Sequence, residues 1–290
     1  MLLEAKRAVI TGGSMGLGLE IGRAYVKEGA SVVLSASSEA ALLAACDELR
    51  ALCSRAGQSV DYVVCDIADE QDVQQLFNSA IEILGGLDIL VNNAGVYGPK
   101  GALETVDNAD WRRTIEINLF GTLYASQAAV RHFKQQKSGK VINLSGGGAT
   151  APLPNISAYA ASKAAVVRLT ETLAEELRGT NIDVNAIAPG ALNTRLMDEV
   201  LVAGPDKVGE SFYQATMRQA KSGGTPLGKG AKLCVYLASE DSNGITGKLI
   251  SAVWDSWGEF NQHREDIETS DLYTLRRIVT TDRGLDWETL

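Results

Sequence analysis

Tyr159 and Lys163, four residues apart in the segment ISAYAASKAA (156–165), are the pair in this chain best suited to moving a proton. On a helix, positions i and i+4 share one face, which sets the ammonium beside the phenol. A tyrosine with its ordinary pKa of ~10 exchanges protons poorly near neutrality, and a neighbouring cation favours its phenolate. Lowering that pKa by roughly three units takes about 4 kcal/mol of differential stabilisation, within reach of two positive charges in a partly dry site. The spacing alone is not specific. Its weight comes from what lies upstream.

There the segment VITGGSMGLG (9–18) runs from a short apolar stretch into Gly12, Gly13, Gly16 and Gly18. A helical pattern emerges from it, with Leu17, Ile21, Ala24 and Tyr25 recurring at the 3.6-residue period. Strand, glycine turn and helix together let backbone approach a pyrophosphate and aim the N–H groups of a helix start at it. Ser14 is available to bond a phosphate or ribose. A tight turn with no ligand is the plainer alternative for this motif.

Further along stand Asn92-Asn93-Ala94-Gly95, Asn118, Ser145 and Pro189-Gly190-x-x-x-Thr194. With these motifs in this order, from residue 8 to about 253, the chain resembles the short-chain dehydrogenase/reductase family in its compact single-domain branch. The resemblance implies an α/β fold: a doubly wound, mostly parallel seven-stranded Rossmann sheet with helices on both faces. It also implies that Tyr159 is the acid in carbonyl reduction and the base in alcohol oxidation. Lys163 would lower the phenol's pKa and bond the nicotinamide ribose. Asn118 would interrupt its helix and hold a water that relays protons to Lys163, or else simply bond a neighbouring backbone. The serine departs from the pattern. Ser145 is the only hydroxyl near that strand end, whereas the family's usual register falls on Gly146. Either a changed loop shifts Ser145 into place, or Thr150 or a backbone N–H polarises the substrate oxygen instead.

The same resemblance distributes a dinucleotide over four loops. Gly12, Ser14, Gly16, Leu17 and Gly18 would take the pyrophosphate side. Ser37 and Ser38, after the second strand, would meet the adenosine ribose. No acidic residue stands there to repel a 2′-phosphate, so NADP(H) is favoured over NAD(H), although no arginine replaces it. Asp66 would cap the adenine beside Ile67, or cap the next helix. Asn93, Ala94 and Gly95 would approach the cofactor ribose, or stabilise the sheet centre. Pro189, Gly190 and Thr194 would hold the carboxamide, beside Tyr159 and Lys163 at the nicotinamide end.

The elements that must position these residues alternate. Apolar strands are expected at 31–36, 60–66, 87–92, 140–145, 182–187 and 247–253 after the first, with helices at about 16–28, 39–56, 70–84, 108–136, 157–178 and 229–239. Such an alternation suits a parallel sheet covered on both faces. At 290 residues, 45% of them hydrophobic, one large domain is expected over 1–255. A substrate lid is placed at about 191–226, and an extension over 256–290 is expected to pack on the domain or a neighbouring subunit. Tyr273, Leu275, Ile278 and Trp287 are its expected anchors. Apolar stripes on 108–136 (Leu119, Leu123, Ala128, Ala129) and 157–178 (Ala164, Val167, Leu173) match the helices through which relatives dimerise, so a homodimer or homotetramer is expected.

Composition narrows the partners. The net charge of −9, without a basic run, argues against nucleic acid and anionic membranes. No run approaches ~18 apolar residues, so no membrane span is expected. The N-terminus enters the first strand with no room for a signal peptide. Cys46, Cys53, Cys65 and Cys234 lack metal or redox spacing and read as buried thiols of a reducing compartment. The cytoplasm is therefore the expected location. His132 and His263 lack metal-ligand companions and read as surface residues, so no metal is expected. The leading reading is an NAD(P)-dependent oxidoreductase interconverting a secondary alcohol and a ketone, on a small molecule made polar or sugar-like by the mixed lid. Two alternatives stay open: a cofactor-binding regulatory or scaffold protein without turnover, and a redox-neutral epimerase or dehydratase.

Overall fold

The computed structural model describes residues 1–287, in which strands and helices alternate. β1 (Arg7–Thr11) feeds α1 (Gly16–Lys27), β2 (Ser31–Ala36) feeds α2 (Glu39–Arg50), and β3 (Val60–Val64) feeds α3 (Glu70–Leu84). β4 (Ile89–Asn92) leads to α4 (Asn108–Ile115) and, through a π-helical turn at Glu116–Phe120, to α5 (Gly121–Gln136). β5 (Gly139–Leu144) precedes α6 (Ser157–Glu176). β6 (Ile182–Ala188) precedes three helices, α7 (Arg195–Ala203), α8 (Pro205–Val208) and α9 (Glu210–Ser222). Then come α10 (Leu227–Ala238), β7 (Leu249–Ser251) and α11 (Arg264–Thr269).

The strands form one seven-stranded sheet in the order β3-β2-β1-β4-β5-β6-β7, and every pairing is parallel. Successive strand residues face opposite sides, so two cores result. Ile10, Leu34 and Val91 pack with Ile21 and Tyr25 of α1, Leu49 of α2 and Leu233 of α10 on one face. Val9, Val33 and Leu90 pack with Phe77 of α3 and Ala125 and Phe133 of α5 on the other. The chain leaves β1 toward β2 and returns at β4. This reversal opens a crevice at the carboxyl ends of β1 and β4, where such sheets hold ligands.

Several expected elements are trimmed or divided. The strand expected at 60–66 ends at Val64, the helix expected at 39–56 ends at Arg50, and the last strand holds only Leu249–Ser251. The long helix at 108–136 is broken by the π turn around Asn118. The lid region is helical, cut into three pieces at Gly204 and Gly209, both at positive φ (77° and 84°).

After β7 the chain folds back over the sheet edge. Phe260 and Ile267 are buried against the α1/α10 core, and Tyr273 packs on Phe260 at 5.1 Å. The Tyr273 carbonyl accepts from the Leu249 N–H (2.7 Å), and Glu171 of α6 accepts from the Leu275 N–H (2.6 Å). Contact with the outer edge of β7 occupies an N–H that would otherwise be open to another strand. Tyr273 and Leu275 are thus seated, whereas Ile278 and Trp287 are 60% and 71% exposed and anchor nothing on this chain. Residues 288–290 of the expected extension lie outside the described residues.

Two expectations about helix faces are corrected. Ala128, Ala129 and Val167 lie in this chain's own cores. Leu173 packs partly buried on the second core, so only Leu119, Leu123 and Ala164, half-buried, remain of the outward stripes, joined by Phe120 at 41% exposure. His132 is half-buried rather than solvated, and His263 is exposed. Cys46, Cys65 and Cys234 are buried free thiols, and Cys53 is partly covered. Among the described residues no helix is long and apolar enough to cross a membrane, and no cluster of metal-ligating side chains occurs.

Candidate active site

The glycine turn is built by contact. A Cβ added at Gly18 would lie 2.2 Å from the Gly12 carbonyl oxygen, so the start of α1 can press onto the turn only without a side chain there. Asn93 fastens the turn from the next strand. Its Nδ2 donates to the carbonyls of Thr11 (3.0 Å) and Gly12 (2.9 Å), while the Thr11 hydroxyl accepts from the N–H groups of Asn93 and Ala94. Asn92 turns the other way, donating to Ser126 of α5 and Asn143 of β5. The side chains of both asparagines therefore hold the sheet and the turn.

The other expected cofactor residues fall around this crevice. Thr194 stands over the turn, with its Cγ2 3.6 Å from the Cβ position of Gly16. Leu17 points into the core, beside Pro189 across Gly230, so only its backbone faces the crevice. Gly190 takes φ +94° against Thr225 and Val253. Ser14 is half-exposed at the start of α1. Ser37 is exposed, and Ser38 caps α2 by accepting from the Ala41 N–H (3.4 Å). Asp66 does not cap α3; Asp69 does, accepting from Gln71 and Asp72. Asp66 instead accepts from the Ala68 N–H and from the Arg113 guanidinium of α4. Burial raises its carboxyl, but those two donors more than offset this and hold it below the usual carboxylate range. Ile67 packs against Gly121 at the start of α5.

At the end expected to take the nicotinamide, α6 presents Tyr159 and Lys163 on one buried face, 6% and 5% exposed. Lys163 Nζ donates to the Leu144 carbonyl at the end of β5 (2.8 Å) and lies 5.7 Å from the centre of the Tyr159 ring. The π turn brings Asn118 to the same point. Its Oδ1 accepts from the Val96 N–H, and its Nδ2 donates to the Val96 carbonyl and the Ser162 hydroxyl, each at 2.9 Å. Asn118 thus sits at the break in its helix and bonds the neighbouring Val96 backbone, the plainer of the two roles expected of it. A Cβ placed on Gly95 would lie 3.3 Å from Asn118 Oδ1 and 3.4 Å from Lys163 Nζ. Both polar groups therefore converge on the end of β4, beside the glycine turn.

The Ser145 hydroxyl makes no hydrogen bond to the phenol. The Ser145 N–H pairs with Ile187, and the hydroxyl is buried with no hydrogen-bond partner among the described residues. Strand alternation instead turns Gly146 toward Tyr159. A Cβ at Gly146 would lie 2.1 Å from Tyr159 Oη, so the phenol oxygen occupies the space that a side chain in the family's usual register would need. Thr150 is exposed. Tyr97, which the motif spacing does not mark, stands edge-on to Tyr159 with ring centres 4.6 Å apart. Ser162 is a second unmarked residue. Lying three positions after Tyr159 and on its face, it links the Asn118 amide to the Tyr159 carbonyl.

Among the protein groups alone, burial dominates the electrostatics. It raises the Tyr159 phenol above its ordinary value, with Tyr97 adding to the effect, and pulls Lys163 down to about 8. The neighbouring ammonium does not by itself make this phenol labile. A stability test follows from the lysine. The unfolded chain keeps Lys163 near ~10.4, so between about pH 8 and that value the unfolded state binds more protons and stability rises with pH. Lys163→Met should lack this contribution. Thermal denaturation of both proteins across the window measures it, and parallel curves would contradict the assignment.

The residues present fit a dinucleotide: a glycine-rich turn whose Gly12, Gly16 and Gly18 let backbone approach a pyrophosphate at one end, and a cationic, hydroxyl-bearing pocket at the other. Residues 6–202 match the family described as short chain dehydrogenase. Cis-4-hydroxycyclohexanecarboxylate dehydrogenase of Sinomonas cyclohexanicum is 33% identical over 250 residues, covering 84% of this chain and 93% of that one. Xylitol dehydrogenase with bound NAD+ is similar in structure, with a TM-score of 0.79 at 26% identity over 87% of this chain and 98% of its own. Actinorhodin polyketide ketoreductase with NADPH gives a TM-score of 0.77 at 28% identity, covering 85% and 95%. An all-parallel sheet with this crevice, matched over this length, leads to one conclusion: the chain belongs to the short-chain dehydrogenase/reductase family and is an NAD(P)-dependent oxidoreductase.

Proposed function

We propose that this oxidoreductase interconverts a secondary alcohol and a ketone on a polar, sugar-like or polyol small molecule, with Tyr159 as acid and base. The observation that carries the reading is the convergence of Lys163 Nζ and Asn118 Oδ1 on Gly95, next to the buried Tyr159 and at the sheet end that holds the glycine turn. A bound nicotinamide would supply or accept the hydride and, when oxidised, a positive charge that favours the phenolate. Tyr159 then gives its proton to the carbonyl oxygen in reduction and takes it from the hydroxyl in oxidation. Lys163, tied to Leu144, keeps the ammonium beneath the ring, and Asn118 fixes the loop after β4 against α6. With Gly146 in place of a serine, Tyr159 has no side-chain hydroxyl at that position to share the substrate oxygen.

NADP(H) remains the favoured coenzyme on Ser37 and Ser38, which offer hydroxyls and no carboxylate. The polyol named in xylitol dehydrogenase and the hydroxy acid named in the Sinomonas relative support a polar substrate. A homodimer or homotetramer is favoured by the outward Phe120, stacked on Tyr124. The cytoplasm remains our proposed location, on the thiol pattern.

A panel of polar ketones and alcohols, run with each nicotinamide, tests the reading. Alcohol formed should match reduced nicotinamide consumed, with NADPH preferred. Isomerised product with constant nicotinamide would favour the epimerase reading, and binding of the nucleotide without any turnover the regulatory one.

A further inference from the structure

Beside the phenol, toward the lid, lies an ionic cluster that the hydride chemistry does not use. Lys100, in the loop after β4, donates to Glu199 Oε2 on α7 (3.1 Å) and to the Gly98 carbonyl (3.0 Å). Its side chain is 13% exposed, against 32% for Glu199 and 59% for Arg195, whose Nε lies 3.6 Å from the other Glu199 oxygen. With Asp198 and Lys207 these residues line a cavity of about 430 Å³ between the loop and the lid. Three basic and two acidic side chains make it locally cationic, in a chain whose net charge is −9. The cavity neighbours the reacting end. Lys100 Nζ is 5.8 Å from the centre of the Tyr97 ring, which in turn lies 4.6 Å from that of Tyr159. The ammonium is thus no farther from the Tyr159 ring than the sum of those two distances, a span that one small molecule bridges.

We propose that Lys100, assisted by Arg195, reads a carboxylate on the substrate, and that Glu199 holds that carboxylate's place in the free protein. The inference rests on the oxidoreductase reading above and narrows its substrate to a short hydroxy or keto acid. The exchange is of like for like. A largely buried ammonium is costly to leave unpaired, so whatever displaces Glu199 must bring a negative charge of its own. Glu199 is more than twice as exposed as its partner and can swing into water at little cost, whereas Lys100 is held by Gly98 and roofed by Tyr97. A substrate carboxylate would then gain a charge-assisted hydrogen bond with its ketone directed toward Tyr159. A neutral substrate of the same shape has nothing to exchange, and the Lys100–Glu199 pair stays closed against it.

Calorimetric binding to the NADP+-loaded protein tests this without requiring turnover, with levulinate and its primary amide as probes. The wild type should bind the acid about tenfold tighter than the amide or better. Lys100→Met should abolish that preference, and Glu199→Gln, which removes the competing carboxylate, should enlarge it. A wild type with no preference for the acid, or a Lys100→Met variant that keeps it, would overturn the proposal and leave the pair a latch between loop and lid. Failure of the oxidoreductase reading looks different: acid-selective binding would persist while a panel of keto acids left nicotinamide absorbance unchanged.

Discussion

Replacing Tyr159 by phenylalanine should lower kcat by about 10²–10⁴-fold while changing coenzyme affinity little. The hydrogen bonds that fix this part of α6 run through the Tyr159 backbone carbonyl and Lys163 Nζ rather than the phenol oxygen, so removing that oxygen breaks neither. The ring keeps its packing on Tyr97 and its place above Lys163. The variant should therefore fold, bind the nucleotide and fail in the proton transfer. Steady-state turnover with any substrate found active, alongside fluorescence titration of the reduced coenzyme, measures both halves. Loss of coenzyme binding in parallel with kcat would assign Tyr159 a structural part instead.

A methyl group at Gly146 should be nearly as damaging. The added Cβ would fall 2.1 Å from Tyr159 Oη, far inside contact distance, and the ring is buried on both sides by Tyr97 and α6. The hydroxyl must then move by more than an ångström, and displacements of that size at reacting atoms cost about 10²-fold in rate. Gly146→Ala should thus lose turnover with coenzyme affinity near that of the wild type. Gly147, where an added Cβ meets nothing within 4 Å, provides the control: Gly147→Ala should retain activity. Equal activity in both variants would mean that Tyr159 sits elsewhere when it works.

Where the site was legible in the sequence, its chemistry was local. The i,i+4 spacing of Tyr159 and Lys163 and the strand–glycine–helix passage at 9–18 are each contained in one element and its flank, so spacing alone sets their geometry. The alternation of apolar runs with helical patterns similarly led to the parallel sheet, because burial on both faces leaves that signature. What spacing cannot reveal is which way a side chain turns at the end of a strand. Ser145 and Gly146 are adjacent, and only the pairing of β5 with β6 decides that the glycine faces the phenol. Asp66, expected to cap the adenine or the next helix, is instead paired by Arg113 of α4, forty-seven positions away. Lys100 and Glu199 are ninety-nine residues apart and carry no motif, so their pairing exists only in the fold. In the extension, Tyr273, Leu275, Ile278 and Trp287 are spaced as anchors, and only the first two are seated. The chain instead buries Phe260 and Ile267, which lie close to β7, and leaves Trp287 exposed.

The proposed chemistry requires a phenol that exchanges its proton with the substrate once the coenzyme is in place. Its most direct test is the pH dependence of alcohol oxidation in coenzyme-saturated wild type and Tyr159→Phe. Oxidation needs the phenol ionised, so the wild-type rate should rise with pH along an ionisation that lies below the ordinary tyrosine value of ~10 and is missing from the variant. A variant that kept both the rate and the rise would contradict the account.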